Sequence, residues 1–145
     1  MEFSFASAED GEQIKQLLAA SELPYEDIRS FELQHFLMVK DENALALAGV
    51  VGLELKDDVA LLRSLAVDKA YRGQGLAIQL IQKIEAYARS QKVVTLYLLT
   101  LTADAFFTKR KYQIADRQSV PAALQETTEF KGLCPETAVC MKKHL

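Results

Sequence analysis

The residues best suited to chemistry are Asp68-Lys69-Ala70-Tyr71-Arg72-Gly73-Gln74-Gly75-Leu76-Ala77, which join an apolar strand pattern to a long helical one. Glycines lack a Cβ and let main-chain N–H groups converge. A helix start adds unpaired N–H donors and the positive end of the helix dipole. Together they suit phosphate oxygens, and Arg72 adds a forked cation for the same anion. The alternative is a turn whose glycines only redirect the chain. The stretch lacks the GxxxxGK[ST] of a Walker loop. A dinucleotide fingerprint is also excluded, because the helix follows a run of hairpin strands rather than opening a βαβ unit.

Other reactive side chains are scattered. Glu54 is a carboxylate in the otherwise apolar "VVGLEL", and strand alternation leaves open whether it faces a cleft or solvent. Arg63 and Ser64 are adjacent in "VALLRSLAV", so alternation turns one inward and leaves the other solvated. Thr100 and Thr102 follow a later strand as ligand contacts or strand-end caps. "TKRK" at 108–111 reads as a solvated helix end that suits the dipole, or as an anion contact. His35 reads as the start of a strand, with a catalytic role as the alternative. Cys134 and Cys140, with only His35 and His144 elsewhere, make no zinc pattern. They are expected as small packing residues, with no metal.

These residues need a scaffold. With 145 residues, half of them apolar and 26% charged, the chain is the size of one soluble domain, read as residues 1–145. A net charge of −3 argues against a duplex nucleic-acid binder. No apolar run approaches the ~20 residues that span a bilayer. The acidic "MEFSFASAEDGEQ" lacks the basic-then-apolar order of a signal peptide, so a cytoplasmic setting is expected.

"EFSFA" reads as a first strand. Ser7 and Asp10 resemble a capping box before Ile14, Leu17 and Leu18 at helical spacing. Pro24 suits the first turn of a second short helix carrying Tyr25, Ile28 and Phe31. "HFLMV", "LALAGVVGLEL" and "VALLRSLAV", separated by polar turns, predict an antiparallel meander. Leu76, Leu80, Ile84 and Tyr87 form a helical stripe ending near Gln91. "VVTLYLLT" reads as a buried strand, followed by a short helix at 103–109, a strand at 112–116, helix or loop in "VPAALQETTEF", and a last strand "AVCMKK". This order indicates an α+β protein with a mixed, mostly antiparallel sheet flanked by helices.

Within that frame Arg72-Gly73-Gln74-Gly75-Leu76-Ala77 matches the R/Q-x-x-G-x-G/A signature of the GCN5-related N-acetyltransferases (GNAT), and "LRSLAVDKAYRG" is similar to their fourth strand and its exit. The resemblance implies the acyl-CoA N-acyltransferase fold and acetyl-CoA as cosubstrate. It places Leu65, Ala66 and Val67 along the pantetheine arm and the loop, Arg72, Gly73, Gln74, Gly75, Leu76 and Ala77, around the pyrophosphate. Thr100 and Thr102 would lie where the cofactor enters the sheet. From about residue 48 the chain further looks like small acetyltransferases of arsenic-resistance operons. These resemble amino-acid N-acetyltransferases such as the N-acetylglutamate synthase domain.

Acetyl transfer needs a neutral amine, a polarised carbonyl and a proton for the leaving thiolate. An amine of pKa ~10.4 is mostly protonated at pH 7, at a cost of about 4.6 kcal/mol, so a base is useful. Glu54 is the candidate base, and Arg63 and Ser64 are the candidate acceptor contacts. The family often carries a tyrosine in an "fYekxGF"-like segment. Here Phe106-Phe107-Thr108-Lys109-Arg110-Lys111-Tyr112 puts Phe107 at the tyrosine position and Lys111 where glycine is common, and Tyr112 is expected to pack. The resemblance implies direct transfer without a metal. The lack of a peptide-binding insertion in the sequence pattern points to a small amine, an amino acid or an amino-acid-like toxin, as acceptor. No nucleic acid or membrane partner is expected from charge and hydropathy. The missing phenol leaves open a catalytically weak acetyl-CoA-binding sensor. The apolar last strand leaves open pairing in a homodimer.

Overall fold

The computed structural model describes residues 1–145, the side chain of Phe31 excepted. Seven strands, β1 (Glu2–Phe5), β2 (Phe36–Asp41), β3 (Ala46–Lys56), β4 (Val59–Val67), β5 (Thr95–Thr100), β6 (Gln113–Ile114) and β7 (Val139–His144), form one sheet in the order β1-β2-β3-β4-β5-β7-β6. The α-helices are α1 (Gly11–Ala20), α2 (Leu76–Ser90), α3 (Asp104–Lys109) and α4 (Ala122–Gln125). β4 and β5 pair in parallel, from Val59↔Thr95 to Leu61↔Tyr97, while β1–β2, β2–β3, β5–β7 and β6–β7 pair antiparallel. The helix between β4 and β5 is what makes that pairing parallel, since parallel neighbours need a long crossover.

The chain divides into two compact units, Met1–Glu54 with Arg63–Tyr87, and Leu55–Leu62 with Ala88–Leu145. In the first, Asp10 closes the expected capping box, accepting the Ser7 N–H at 2.8 Å and its hydroxyl at 3.2 Å. The apolar stripe of α1, Ile14, Leu17 and Leu18, joins Leu33, Phe36, Met38, Val50 and Ala66 in one buried cluster. Gly52 faces Phe36 across the β2–β3 pair, and a Cβ there would stand 2.6 Å from the ring. Only a bare α-carbon lets Phe36 lie on this strand.

The second short helix expected after Pro24 does not form. Residues 24–29 are irregular, with a turn at Glu26–Asp27, and a 3₁₀ helix covers Ser30–His35. Ile28 is buried in the same cluster as α1, and Asp27 is bound to a side chain far along the chain. These tertiary anchors override a weak local helix preference. Of the stripe assigned to that helix, the Phe31 side chain lies outside the described residues.

The second unit is built on β5 and β7, with Leu61, Tyr97, Val120, Leu124, Phe130 and Cys140 forming its core. "VPAALQETTEF" resolves into a 3₁₀ turn at Arg117–Ser119, the short α4 and a π-helical segment at Glu129–Leu133. Cys134 and Cys140 are buried free thiols. Among the described residues no helix is long and apolar enough to cross a membrane.

Candidate active site

The glycine hinge is braced from several sides. Asp68 donates its N–H to Ala48 O at 2.8 Å, and its carboxylate accepts the Ala70 N–H at 2.9 Å. The Tyr71 hydroxyl donates to Asp41 Oδ2 at 2.8 Å and holds that carboxyl below its ordinary range. Arg72 Nε donates to Val67 O at 3.1 Å, folding the exposed Arg72 back over the end of β4. Between these braces Gly73 and Gly75 take φ of +81° and +79°, with nothing within 4 Å of where a Cβ would lie. Gln79 N–H to Gly75 O is the first helical bond of α2, so the N–H groups of Leu76, Ala77 and Ile78 precede any intrahelical acceptor. Open space, left-handed glycines and a helix start of fifteen residues fit a pyrophosphate.

The residues assigned to this loop take different parts. Gly73, Gln74 and Gly75 are exposed, and Ala77 is half-buried. The Leu76 side chain is buried in the core, so it has only main-chain groups to offer. On β4 Leu65 and Val67 are half-buried, while the Ala66 side chain belongs to the α1-side core.

A second constellation lies on β3, β4 and the irregular 24–29 segment. Arg63, only 4% exposed, donates from Nη1 to Asp27 Oδ2 at 2.6 Å and to Glu54 Oε1 at 2.7 Å. Its Nη2 donates to Asp27 Oδ1 at 2.7 Å, and its Nε to Ser64 Oγ at 3.0 Å. The expectation that one of Arg63 and Ser64 would face solvent is therefore incorrect. Ser64 is also buried, at 7% exposure, because its φ of +62° interrupts the alternation of the strand. Glu54 turns inward, half-buried, and its carboxylate sits against Arg63.

Sequence reasoning missed two members of this group, Asp27 and Glu32. Burial pushes the Glu32 carboxyl above its usual range, and the charges of Glu54 and Asp27 push it further, against Arg63 and Arg29. Two carboxylates, those of Asp27 and Glu54, thus bind one buried guanidinium, and Glu32 feels the charges of all three. Neither Asp27 nor Glu32 carries a periodic signal that could have found it, since the grouping is made by folding.

The other candidates take plainer roles. Thr100 Oγ1 accepts the Ala103 N–H at 2.9 Å, the strand-end cap of the two readings, and Thr102 is exposed. Phe107 is buried, edge-on to Phe106 at 5.2 Å and to Tyr112 at 5.3 Å between ring centroids. Tyr112 is packed as expected. Lys111, at the glycine-like position, has φ of +76°, the conformation for which glycine is suited. Lys109 and Lys111 are exposed, while Arg110 lies over the Phe106 ring. His35 ends the 3₁₀ helix rather than starting β2, and its Nδ1 meets the Tyr87 hydroxyl at 2.7 Å.

A sheet of this order with a braced anion loop after β4 defines the acyltransferase class. The chain belongs to the Acetyltransferase (GNAT) family, whose model matches residues 6–112. Amino-acid acetyltransferases are among its relatives. Those of Pseudomonas fluorescens and Ectopseudomonas mendocina are 29% and 30% identical over 92 residues, which is 63% of this chain and 21% of each relative. The chain thus spans about a fifth of the length of the curated relatives it matches. Among solved structures, N-acetylglutamate synthase of Neisseria gonorrhoeae, complexed with coenzyme A and N-acetyl-glutamate, superposes with a TM-score of 0.84 at 18% identity. That match covers 99% of this chain and 35% of the synthase. A Mycobacterium tuberculosis protein in complex with CoA gives 0.82 at 18% identity, covering 100% and 99%. The fold expected from the sequence, a mixed, mostly antiparallel sheet flanked by helices, is the fold found.

Proposed function

We propose that the chain, as a single GNAT domain, is an acetyl-CoA-dependent N-acetyltransferase acting on a small amine, with Glu54 as the proton acceptor. The carrying observation is the braced loop at Gly73 and Gly75, open at both glycines and backed by the N-terminus of α2. Acetyl-CoA supplies an acetyl group activated as a thioester. Arg72 and the amides from Gly73 to Ala77 hold its pyrophosphate. Leu65, Ala66 and Val67 offer main-chain groups to the pantetheine arm.

The acceptor arrives mostly as an ammonium ion. The carboxylates of Asp27, Glu32 and Glu54 outnumber the charges of Arg63 and Arg29, which suits an incoming cation. Glu54, directly or through a water, takes the proton from the amine. The neutral nitrogen then attacks the acetyl carbon and a C–N bond forms. The nitrogen gives up its second proton to solvent, and the C–S bond breaks to release CoA thiolate. With Phe107 at the position of the family's phenol, solvent returns a proton to that thiolate. Arg63 and Ser64, bonded to each other and to carboxylates, shape the acceptor side rather than extending into it.

The kinship with amino-acid acetyltransferases puts amino acids first among acceptors. The narrower likeness to arsenic-resistance acetyltransferases adds amino-acid-like toxins. Thiol release from acetyl-CoA, screened against free amino acids, spermidine and phosphinic and arsenical amino acids, tests the reading. Release dependent on one amine supports it, and Glu54→Gln is then expected to lower turnover about a hundredfold. Failure to bind CoA would overturn it. The buried hydrocarbon of Phe107 favours a second reading, an acetyl-CoA sensor, which predicts binding without release across the whole panel.

A further inference from the structure

We infer that Asp27 is a positioning residue that aims Glu54 through Arg63. The inference rests on Glu54 being the proton acceptor. Arg63 is held at both ends of its fork. Asp27 takes Nη1 and Nη2 with its two oxygens, and Ser64 takes Nε. The guanidinium plane is fixed by these bonds, and its side chain is wholly buried. Nη1, held in this plane, also donates to Glu54 Oε1. The plane of Arg63 therefore sets the direction of the carboxylate.

Asp27 also shares the charge. One guanidinium faces two carboxylates, so Glu54 does not receive the whole attraction of Arg63. Without the Asp27 charge, Arg63 would turn its full charge on Glu54, making it a poorer proton acceptor. The charged groups around Glu54 are Arg63, Asp27 and Glu32, with Arg29 acting on Glu32. A side chain from the irregular 24–29 segment thus tunes a group on β3 without facing the reacting atoms itself.

The test compares Asp27→Asn in the natural and Glu54→Gln backgrounds. Thiol release from acetyl-CoA is followed with the fastest amine of the panel, or with water as acceptor if no amine reacts. In the natural background kcat is expected to fall about tenfold, since small misplacements of reacting groups are costly. KM for acetyl-CoA stays within about twofold, and the acid limb of the kcat profile moves to lower pH. In the Glu54→Gln background the same substitution changes the rate less than about twofold. Asp27→Glu, which keeps the charge, is expected to recover part of the rate and returns the limb. It also carries the test if Asp27→Asn does not fold.

An unchanged kcat and limb in Asp27→Asn, or an equal loss in both backgrounds, would overturn the inference while leaving Glu54 as the acceptor. If Glu54→Gln itself keeps the natural rate and limb, the base assignment fails and the inference falls with it.

Discussion

Asp27 and Arg63, thirty-six positions apart, meet through two hydrogen bonds of 2.6 and 2.7 Å, so that a carboxylate from an irregular segment closes on a buried strand guanidinium. Such a two-point pair in a desolvated setting orients as well as attracts. It ties residues 24–29 to β4, and the same guanidinium also holds Glu54. The irregular segment and β4 are thereby joined in one buried ion network.

Removing the guanidinium should be costly. Arg63→Ala strips the counter-charge from Asp27 and Glu54, whose side chains are 11% and 17% exposed. Urea denaturation is expected to show a loss of about 3–5 kcal/mol. Asp27→Asn introduced into that variant should restore stability, because it removes one of the stranded charges. A loss below about 1 kcal/mol would show the network to be energetically slack.

The glycines of the loop have a separate test. Gly75→Ala places a Cβ at φ of +79°, which disfavours the left-handed backbone by roughly 1–2 kcal/mol. Calorimetric titration with acetyl-CoA is expected to give a Kd weakened about tenfold, with kcat retained at saturation. An unchanged Kd would mean that this backbone geometry is not part of the binding site.

Glu32 should make stability fall as pH rises. Its folded carboxyl titrates above the unfolded one, so across that window the folded state holds more protons. The slope of stability with pH is then negative, from the ordinary carboxylate range up to the raised folded value. Glu32→Gln is expected to remove this decline and to be more stable than the natural chain at neutral pH. Denaturation midpoints measured from about pH 4 to 8 check the sign.

Lys111 offers a stabilising change. Its left-handed φ of +76° lies just past α3 on an exposed residue, where glycine would relieve the strain. Lys111→Gly is expected to raise stability by about 1 kcal/mol, the relief exceeding the added freedom of the unfolded chain. A lower melting temperature would contradict this.

Much of the molecule was legible before folding. β4 was bounded correctly at Val59 and Val67, because two polar turn residues and a basic loop bracket an apolar run. The helical stripe from Leu76, the apolar strand of "TLYLLT" and the Ser7–Asp10 box were equally readable, each being a property of neighbours in sequence. The anion loop belongs to the same kind. Its chemistry comes from glycine backbones and a helix start, both written in consecutive residues.

The acceptor side was of another kind. Glu54 and Arg63 were singled out, but alternation allowed opposite orientations, and the left-handed Ser64 broke the rule being applied. Asp27 lies where Pro24, Tyr25, Ile28 and Phe31 suggest a short helix, whose local preference is worth less than a buried ion pair and the Ile28 anchor. Sequence alone determined the strands, the long helix and the glycine turn before it, since those depend on interactions within a few residues. Tertiary structure alone decided which carboxylates share Arg63, because a side chain's charged partners are chosen by the folding of distant segments into one desolvated place.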